Sequence, residues 1–297
     1  MNFDYYYEIG SSHKICQDYA TAGTVKTLYK DGIYVKDDLT YAIVCDGCSM
    51  TGDSIQIDTG ARLAALSAIT SLKNYDIARK TLHNGEEPVP VKFIEILEED
   101  AGNTLGDFYL SNRYFDSTVW LAVTGEKILK IYSIGDGGFF IKRKNTNIVQ
   151  FTTVEYESGA PLYLSYLLRK SDLKLYMDQF GDKDVKVKTY WIDIDSQKIV
   201  DFSFYSHKAK DNSKYFQKSW VYDVENIECV GVFSDGIHSF MKDKNPVSFE
   251  KIASEFASFK NYNGKFVDRR LANGLSKKCK QEGIVHYDDI SCAVIRL

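Results

Sequence analysis

Several short apolar runs of this chain end or begin at an acidic residue, and this pattern constrains the fold more than any other feature. Thr40–Cys45, Thr118–Val123, Ile128–Ile134, Cys229–Ser234 and Ile290–Ile295 are rich in β-branched and aromatic residues and are of strand length. Three such runs lead into Asp-Gly: YAIVC precedes Asp46-Gly47, KIYSIG precedes Asp136-Gly137 and CVGVFS precedes Asp235-Gly236. A further acidic pair, Asp288-Asp289, stands directly before ISCAVI. Asp31-Gly32 differs, because the short alternating segments LYK and IYV on either side read as the arms of an ordinary hairpin.

Helical periodicity is confined to fewer places. Asp58–Leu72 is rich in alanine and leucine. Val91–Leu110 carries Phe93, Ile94, Leu97, Ala101, Leu105 and Phe108 at close to a 3.6-residue period. Further helices are expected at Val247–Phe259 and Phe266–Gln281. Strands cluster rather than alternate strictly with helices, which favours an α+β fold with antiparallel sheets over a doubly wound parallel sheet. The 4 prolines are dispersed and no linker-like stretch or internal repeat appears. Ser171–Trp220 has a different texture, with mixed lysine and aspartate and weak periodicity, and reads as a solvated insertion or flap. A docking role for substrate is the sharper alternative.

Composition removes several classes. A net charge of −4 and a pI near 5.8 offer no basic surface for nucleic acid or an anionic membrane. No segment approaches the ~20 apolar residues that span a bilayer, and MNFDYYYEIG lacks the pattern of a signal peptide. The 6 cysteines are widely spaced and are expected to be reduced, in a cytoplasmic protein. Cys45 and Cys48 form C-x-x-C, but no second pair or suitably spaced histidine completes a zinc site. There is no P-loop, no cysteine with an arginine six residues later, and no His-Asp dipeptide.

Carboxylates at strand ends project from rigid positions, and strands from distant parts of the chain can converge several of them at one rim of a sheet. Such a cluster repels itself unless cations neutralise it. Oxygen donors without a histidine or cysteine pattern suit Mg²⁺ or Mn²⁺. Glycine after aspartate allows a sharp turn and a close approach of its carbonyl to a ligand.

The order SSHKICQDYA, CDGCSMTG, SIGDGGFF, VFSDGIHSF and YDDISCAVI resembles the metal-dependent protein phosphatases of the PPM, or type 2C, family, in particular a divergent bacterial branch. The resemblance runs from about Ser11 to Leu297 and implies one phosphatase domain over 1–297, with the family's flap at about 155–225. It implies a central β-sandwich of two antiparallel sheets flanked by helices, with metals in a cleft at one end. Asp46 would bridge two cations, Mn²⁺ or Mg²⁺, and the Gly47 carbonyl would ligate one of them. Asp235 and Asp288 would hold the opposite metal, Asp288 fitting the family pattern better than Asp289, although either could serve. Asp18 would hydrogen-bond water at the metals, so that Asp46, Asp235 and Asp18 form the catalytic set. Asp136, with Asp235, matches a third, weaker site.

The implied reaction is hydrolysis of phosphoserine or phosphothreonine by in-line attack of a water shared by two cations roughly 3.5–4 Å apart. Where many members carry an arginine for substrate phosphate, this chain has His13, followed by Lys14. Gln17 replaces a common glutamate, and Cys48 stands where some members have a histidine. The expected partner is a phosphorylated protein, and the chain is expected to be a monomer. Two other readings stay open at this level: a pseudophosphatase of the same fold used as a binding module, and a hydrolase of small phosphoesters.

Overall fold

The computed structural model describes residues 1–28, 34–48, 58–73, 99, 116–168, 170–212 and 218–297. Among these residues fifteen strands form three antiparallel sheets. The larger sheet contains β1 (Asn2–Glu8), β6 (Gly137–Arg143), β7 (Ile148–Tyr156), β8 (Asp184–Asp193), β9 (Lys198–Lys208), β11 (Ile227–Phe233) and β15 (Ile290–Arg296), in the order β1-β15-β11-β6-β7-β8-β9. The second contains β2 (Tyr19–Leu28), β3 (Tyr34–Cys45), β4 (Val119–Thr124), β5 (Ile128–Ile134) and β10 (Lys218–Asp223), in the order β10-β5-β4-β3-β2. A small third sheet joins β12 (Phe240–Lys242), β13 (Asn245–Pro246) and β14 (Ile284–His286).

The two large sheets pack face to face, and side-chain alternation along each strand divides their residues between an inner and an outer layer. Ala42, Val44, Trp120, Ala122 and Ile131 from one sheet meet Phe139, Ile141, Val230, Val232, Ala293 and Ile295 from the other. The alternate positions point outward. Ile43, Val119, Leu121 and Val123 pack on α1 (Thr59–Lys73) through Ala61, Ala64, Ala65, Ala68 and Leu72. On the opposite side Phe140, Phe151, Phe233, Cys292 and Val294 pack under α4 (Phe249–Ala257), α5 (Phe266–Asp268), a π-type segment (Arg269–Ser276) and α6 (Lys277–Glu282). The result is the expected sandwich of two antiparallel sheets with helices on both outer faces, an α+β fold.

The strand expectations agree with β4, β5, β11 and β15 to within a few residues, Thr40–Cys45 is the second half of a longer β3, and three of the expected helices appear as α1, α4 and the run from α5 to α6. Leu28 pairs with Tyr34, so the arms around Asp31-Gly32 are antiparallel partners. That turn itself and the expected helix Val91–Leu110 lie outside the described residues. Within 155–225 the chain forms α2 (Ser165–Leu168), α3 (Lys170–Phe180), the β8–β9 hairpin and β10. No helix among the described residues is long and apolar enough to cross a membrane.

Candidate active site

Strand ends gather the acidic residues at one rim of the sandwich. Asp18 precedes β2, Asp46 follows β3, Asp136 stands between β5 and β6, Asp235 follows β11 and Asp288 lies just before β15. The registers bring these ends together: Tyr19 faces Cys45, Val44 faces Trp120, Val119 faces Ile134, and Phe233 faces both Gly138 and Cys292.

Each acid is held by its backbone. The Asp46 N–H donates to Thr118 Oγ1 at 3.2 Å, and its carbonyl accepts the Thr118 N–H at 2.8 Å. Asp136 sits between Gly135 and Gly137, whose φ values of +85° and +117° suit glycine. Its carbonyl accepts from Trp120 Nε1 at 2.5 Å, which ties the turn to the buried core. Gly236 passes so close to the β15 entry that a Cβ there would stand 1.8 Å from the Asp289 carbonyl oxygen. The Ser291 N–H donates to Ser234 Oγ at 3.0 Å, and the Ser234 N–H donates to the Ser291 carbonyl at 3.2 Å.

Asp288 and Asp289 divide their work. The Asp289 carboxylate, 2% exposed, accepts the Gly10 N–H at 2.7 Å and the Gln17 N–H at 2.6 Å. The N–H groups of Ser11 and Ser12 donate to the carbonyls of His286 and Tyr287, both at 3.0 Å. Residues 10–17 are thereby strapped across the entry to β15. Asp289 organises that strap, while the Asp288 side chain, 44% exposed, is presented to the rim. His13 lies between the two, its Nδ1 3.0 Å from Asp289 Oδ2 and its Nε2 3.6 Å from Asp288 Oδ1, at ion-pair distance without hydrogen-bond alignment at Nδ1. Lys14 beside it is exposed.

Electrostatics mark the cluster as strained without cations. Burial pushes the Asp18 carboxyl up to about 7; the nearby Asp289 pushes it further, and Ser291, Ser234 and Asp46 oppose. Those three neighbours are close, yet both Asp18 carboxylate oxygens are buried without a partner at hydrogen-bond geometry. Burial lifts Asp46 well above the ordinary carboxylate range, followed by repulsion from Asp18, Asp235, Asp288 and Asp136. Asp136 is lifted by burial and then by Asp235. Asp288 is raised in the same way, with His13 opposing. Neither lysine nor arginine is among the main influences on these four acids. Among the described residues no three His, Cys, Asp or Glu side chains stand at coordination distances from a common point. The donor chemistry nevertheless fits a hard divalent cation: several carboxylates, orphaned buried oxygens on Asp18, and mutual repulsion that a positive charge would relieve.

One part of the rim carried no signal in the sequence. Tyr163 lies near Cys48, Asp46 and Asp136, and Tyr156 near Asp136; burial chiefly, with those acids adding, pushes both phenols up. Behind them Tyr166 packs between Tyr163, edge-on, and Tyr176, tilted, with ring centroids 5.7 and 5.4 Å away. These residues come from β7, α2, α3 and the loop before α2, within the 155–225 segment.

No family model and no curated protein matches the sequence. Solved structures do match over nearly the whole chain. A bacterial serine phosphatase superposes with a TM-score of 0.51 at 10% identity, covering 99% of this chain and 96% of that one. The serine-threonine phosphatase 2C of Toxoplasma gondii gives 0.53 at 13% identity, with 99% and 94% covered. The serine/threonine phosphatase of Staphylococcus aureus gives 0.50 at 11% identity, with 100% and 95% covered. The chain has the type 2C phosphatase fold. In the terms of that fold, the acidic rim lies at one end of the sandwich, and α2 and α3 border it through Tyr163.

Proposed function

We propose that this chain is a metal-dependent phosphatase acting on phosphoserine and phosphothreonine in proteins. The observation that carries the reading is the convergence of Asp18, Asp46, Asp136, Asp235 and Asp288, from five separate strand ends, on one rim, where repulsion from the other four adds to burial in lifting Asp46 above the ordinary carboxylate range. The type 2C fold of the solved neighbours supports it.

In this reading Asp46 with the Gly47 carbonyl, together with Asp235 and Asp288, would hold two Mn²⁺ or Mg²⁺ ions, and Asp136 with Asp235 would hold a third. Such cations, when bound, supply Lewis acidity that lowers the pKa of water and offsets charge on the phosphoryl oxygens. The chain's own groups do the rest. Asp18 accepts hydrogen bonds from water at its unpartnered oxygens and orients it toward phosphorus. Lys14, on the exposed strap, draws in the phosphate. His13, set between Asp288 and Asp289, aligns that carboxylate pair. Tyr163 and Tyr156 limit water on the Asp136 side. The whole of 1–297 acts as a single domain in the cytoplasm, with 155–225 forming the wall beside the rim.

The test is hydrolysis of a phosphothreonine peptide with Mn²⁺, comparing wild type with Asp235→Asn and with an EDTA control. Turnover lost in both controls supports the reading. Turnover that persists in EDTA, or an Asp235→Asn variant as active as wild type, sinks it.

A further inference from the structure

The outer edge of the larger sheet is made by β9, and among the described residues no strand pairs with its free side. Its side chains are exposed nearly throughout, including Val200 (52%), Phe202 (49%), Phe204 (56%) and Tyr205 (52%). A long apolar edge of this kind is a template for pairing with another strand, and unpaired edges are normally shortened, charged or covered. Here charge is sparse within the strand, and lysines stand at its two ends, Lys198 and Lys208.

The register against β8 fixes which face each residue takes. Phe202 pairs with Tyr190, on the helix side, and Tyr205 pairs with Val187, on the sandwich side. An irregularity between Trp191 and Ile192 leaves Val200 unpaired, so the regular run is Asp201–Lys208, of which Asp201–His207 is centred on Phe204. A two-fold axis normal to the sheet at Phe204 makes this run complementary to itself. Asp201 then faces the partner copy's His207 at both ends, Ser203 faces Tyr205, Phe202 faces Ser206, and Phe204 meets its own copy. Registers centred nearby are poorer, and one centred on Tyr205 gives up the facing of Asp201 and His207. Centring on Ser203 sets Lys198 against Lys208, and centring on Phe202 draws the irregular Val200 into the ladder. Opposite charges and aromatic pairs across strands stabilise a pairing, and like charges oppose it.

We propose that β9 pairs antiparallel with β9 of a second copy of this chain, joining the two larger sheets into one continuous sheet about a two-fold axis at Phe204. The contact is isologous and closes on itself, so it makes a dimer rather than a filament. This departs from the monomer expected from the sequence.

Sedimentation velocity on the full chain, from about 1 to about 100 µM, tests it. The expected result is a concentration-dependent dimer that Phe204→Lys weakens by roughly tenfold or more, without change in circular dichroism, or in melting temperature at concentrations where both proteins are monomeric, because the replaced ring is exposed. Phe204→Cys reads the register directly. Paired Cα atoms across antiparallel strands are roughly 4.5–5.5 Å apart, within reach of a disulfide. Mild oxidation therefore yields a covalent dimer from Phe204→Cys and far less from Tyr205→Cys, whose opposite residue is Ser203. A monomer across the whole range overturns the proposal, including the case where the edge captures an added extended peptide instead. A dimer indifferent to Phe204→Lys, or one cross-linked through Tyr205→Cys but not Phe204→Cys, overturns it equally.

Discussion

Asp18 illustrates how a residue suited to a cation is costly without one. Its carboxyl is 1% exposed and pushed up to about 7, so the folded state holds a proton that the unfolded chain, at an aspartate's ordinary value of 3.8, has already lost. A carboxyl raised in this way contributes stability below its unfolded pKa and loses it as pH climbs through the window to its folded pKa. The cation-free protein is therefore expected to lose stability from about pH 4 to about pH 7. Asp18→Asn should remove much of that slope and stabilise the EDTA-treated protein at pH 7 by on the order of 2–4 kcal/mol, while lowering phosphatase turnover. Thermal melts of both proteins at pH 5 and pH 7 check the first part; a parallel slope in the variant would refute it. Gly236 makes the opposite kind of demand. Its missing side chain lets Asp235 and the entry to β15 share one place, and a Cβ would collide with the backbone at Asp289. Gly236→Ala is expected to cost roughly 1–3 kcal/mol, as overpacking does, and to reduce turnover, read by denaturant titration beside the peptide assay.

At the scale of elements, the site depends on contacts made far from it in sequence. Asp4 on β1 accepts the N–H groups of Val267 at 2.6 Å and Asp268 at 3.1 Å, satisfying donors at the start of α5 that the helix cannot satisfy itself. Asp4→Ala should cost about 1–2 kcal/mol without altering the pH profile of turnover, because Asp4 lies at the opposite end of β1 from the strap. Trp120 couples core to site more directly, being fully buried in β4 with its indole N–H on the Asp136 carbonyl. Trp120→Phe keeps an aromatic in the sandwich but leaves that carbonyl without its donor. A loss of about 1–3 kcal/mol is expected, together with weaker activation by Mn²⁺ if Asp136 contributes a cation site. An unchanged Mn²⁺ titration would separate the two roles.

For the whole molecule, the proposed reading makes stability and cation binding at the acidic rim one equilibrium. A ligand that binds only the folded state stabilises it by RT ln(1 + [L]/Kd), about 2.7 kcal/mol at a hundredfold excess over Kd. Mn²⁺ should therefore raise the melting temperature of the wild type, and Asp46→Asn should abolish most of the rise. This measurement is independent of substrate and holds even if no phosphopeptide is ever turned over. A melting curve insensitive to Mn²⁺ would remove the basis for the cation reading.

The sequence by itself marked the strand segments that became β3, β4, β5, β11 and β15, the α+β class, and the strand-end acids Asp46, Asp136 and Asp235, because alternation, strand-end carboxylates and adjacent glycines are local properties of the chain. It also placed α1, α4 and the helical run from α5 to α6. It left Asp288 and Asp289 unresolved, since two adjacent acids look alike until a strand fixes which one points into the strap and which toward the rim. Tyr163 and Tyr156 escaped notice because nothing local distinguishes them from the other tyrosines; only the folding of 155–225 beside Asp136 brings them near. The exposed edge at β9 was likewise invisible, because an apolar alternating strand reads the same whether a neighbour covers it or not. Those choices belong to tertiary structure, which alone decides what lies across a sheet, at its rim or beyond its last strand.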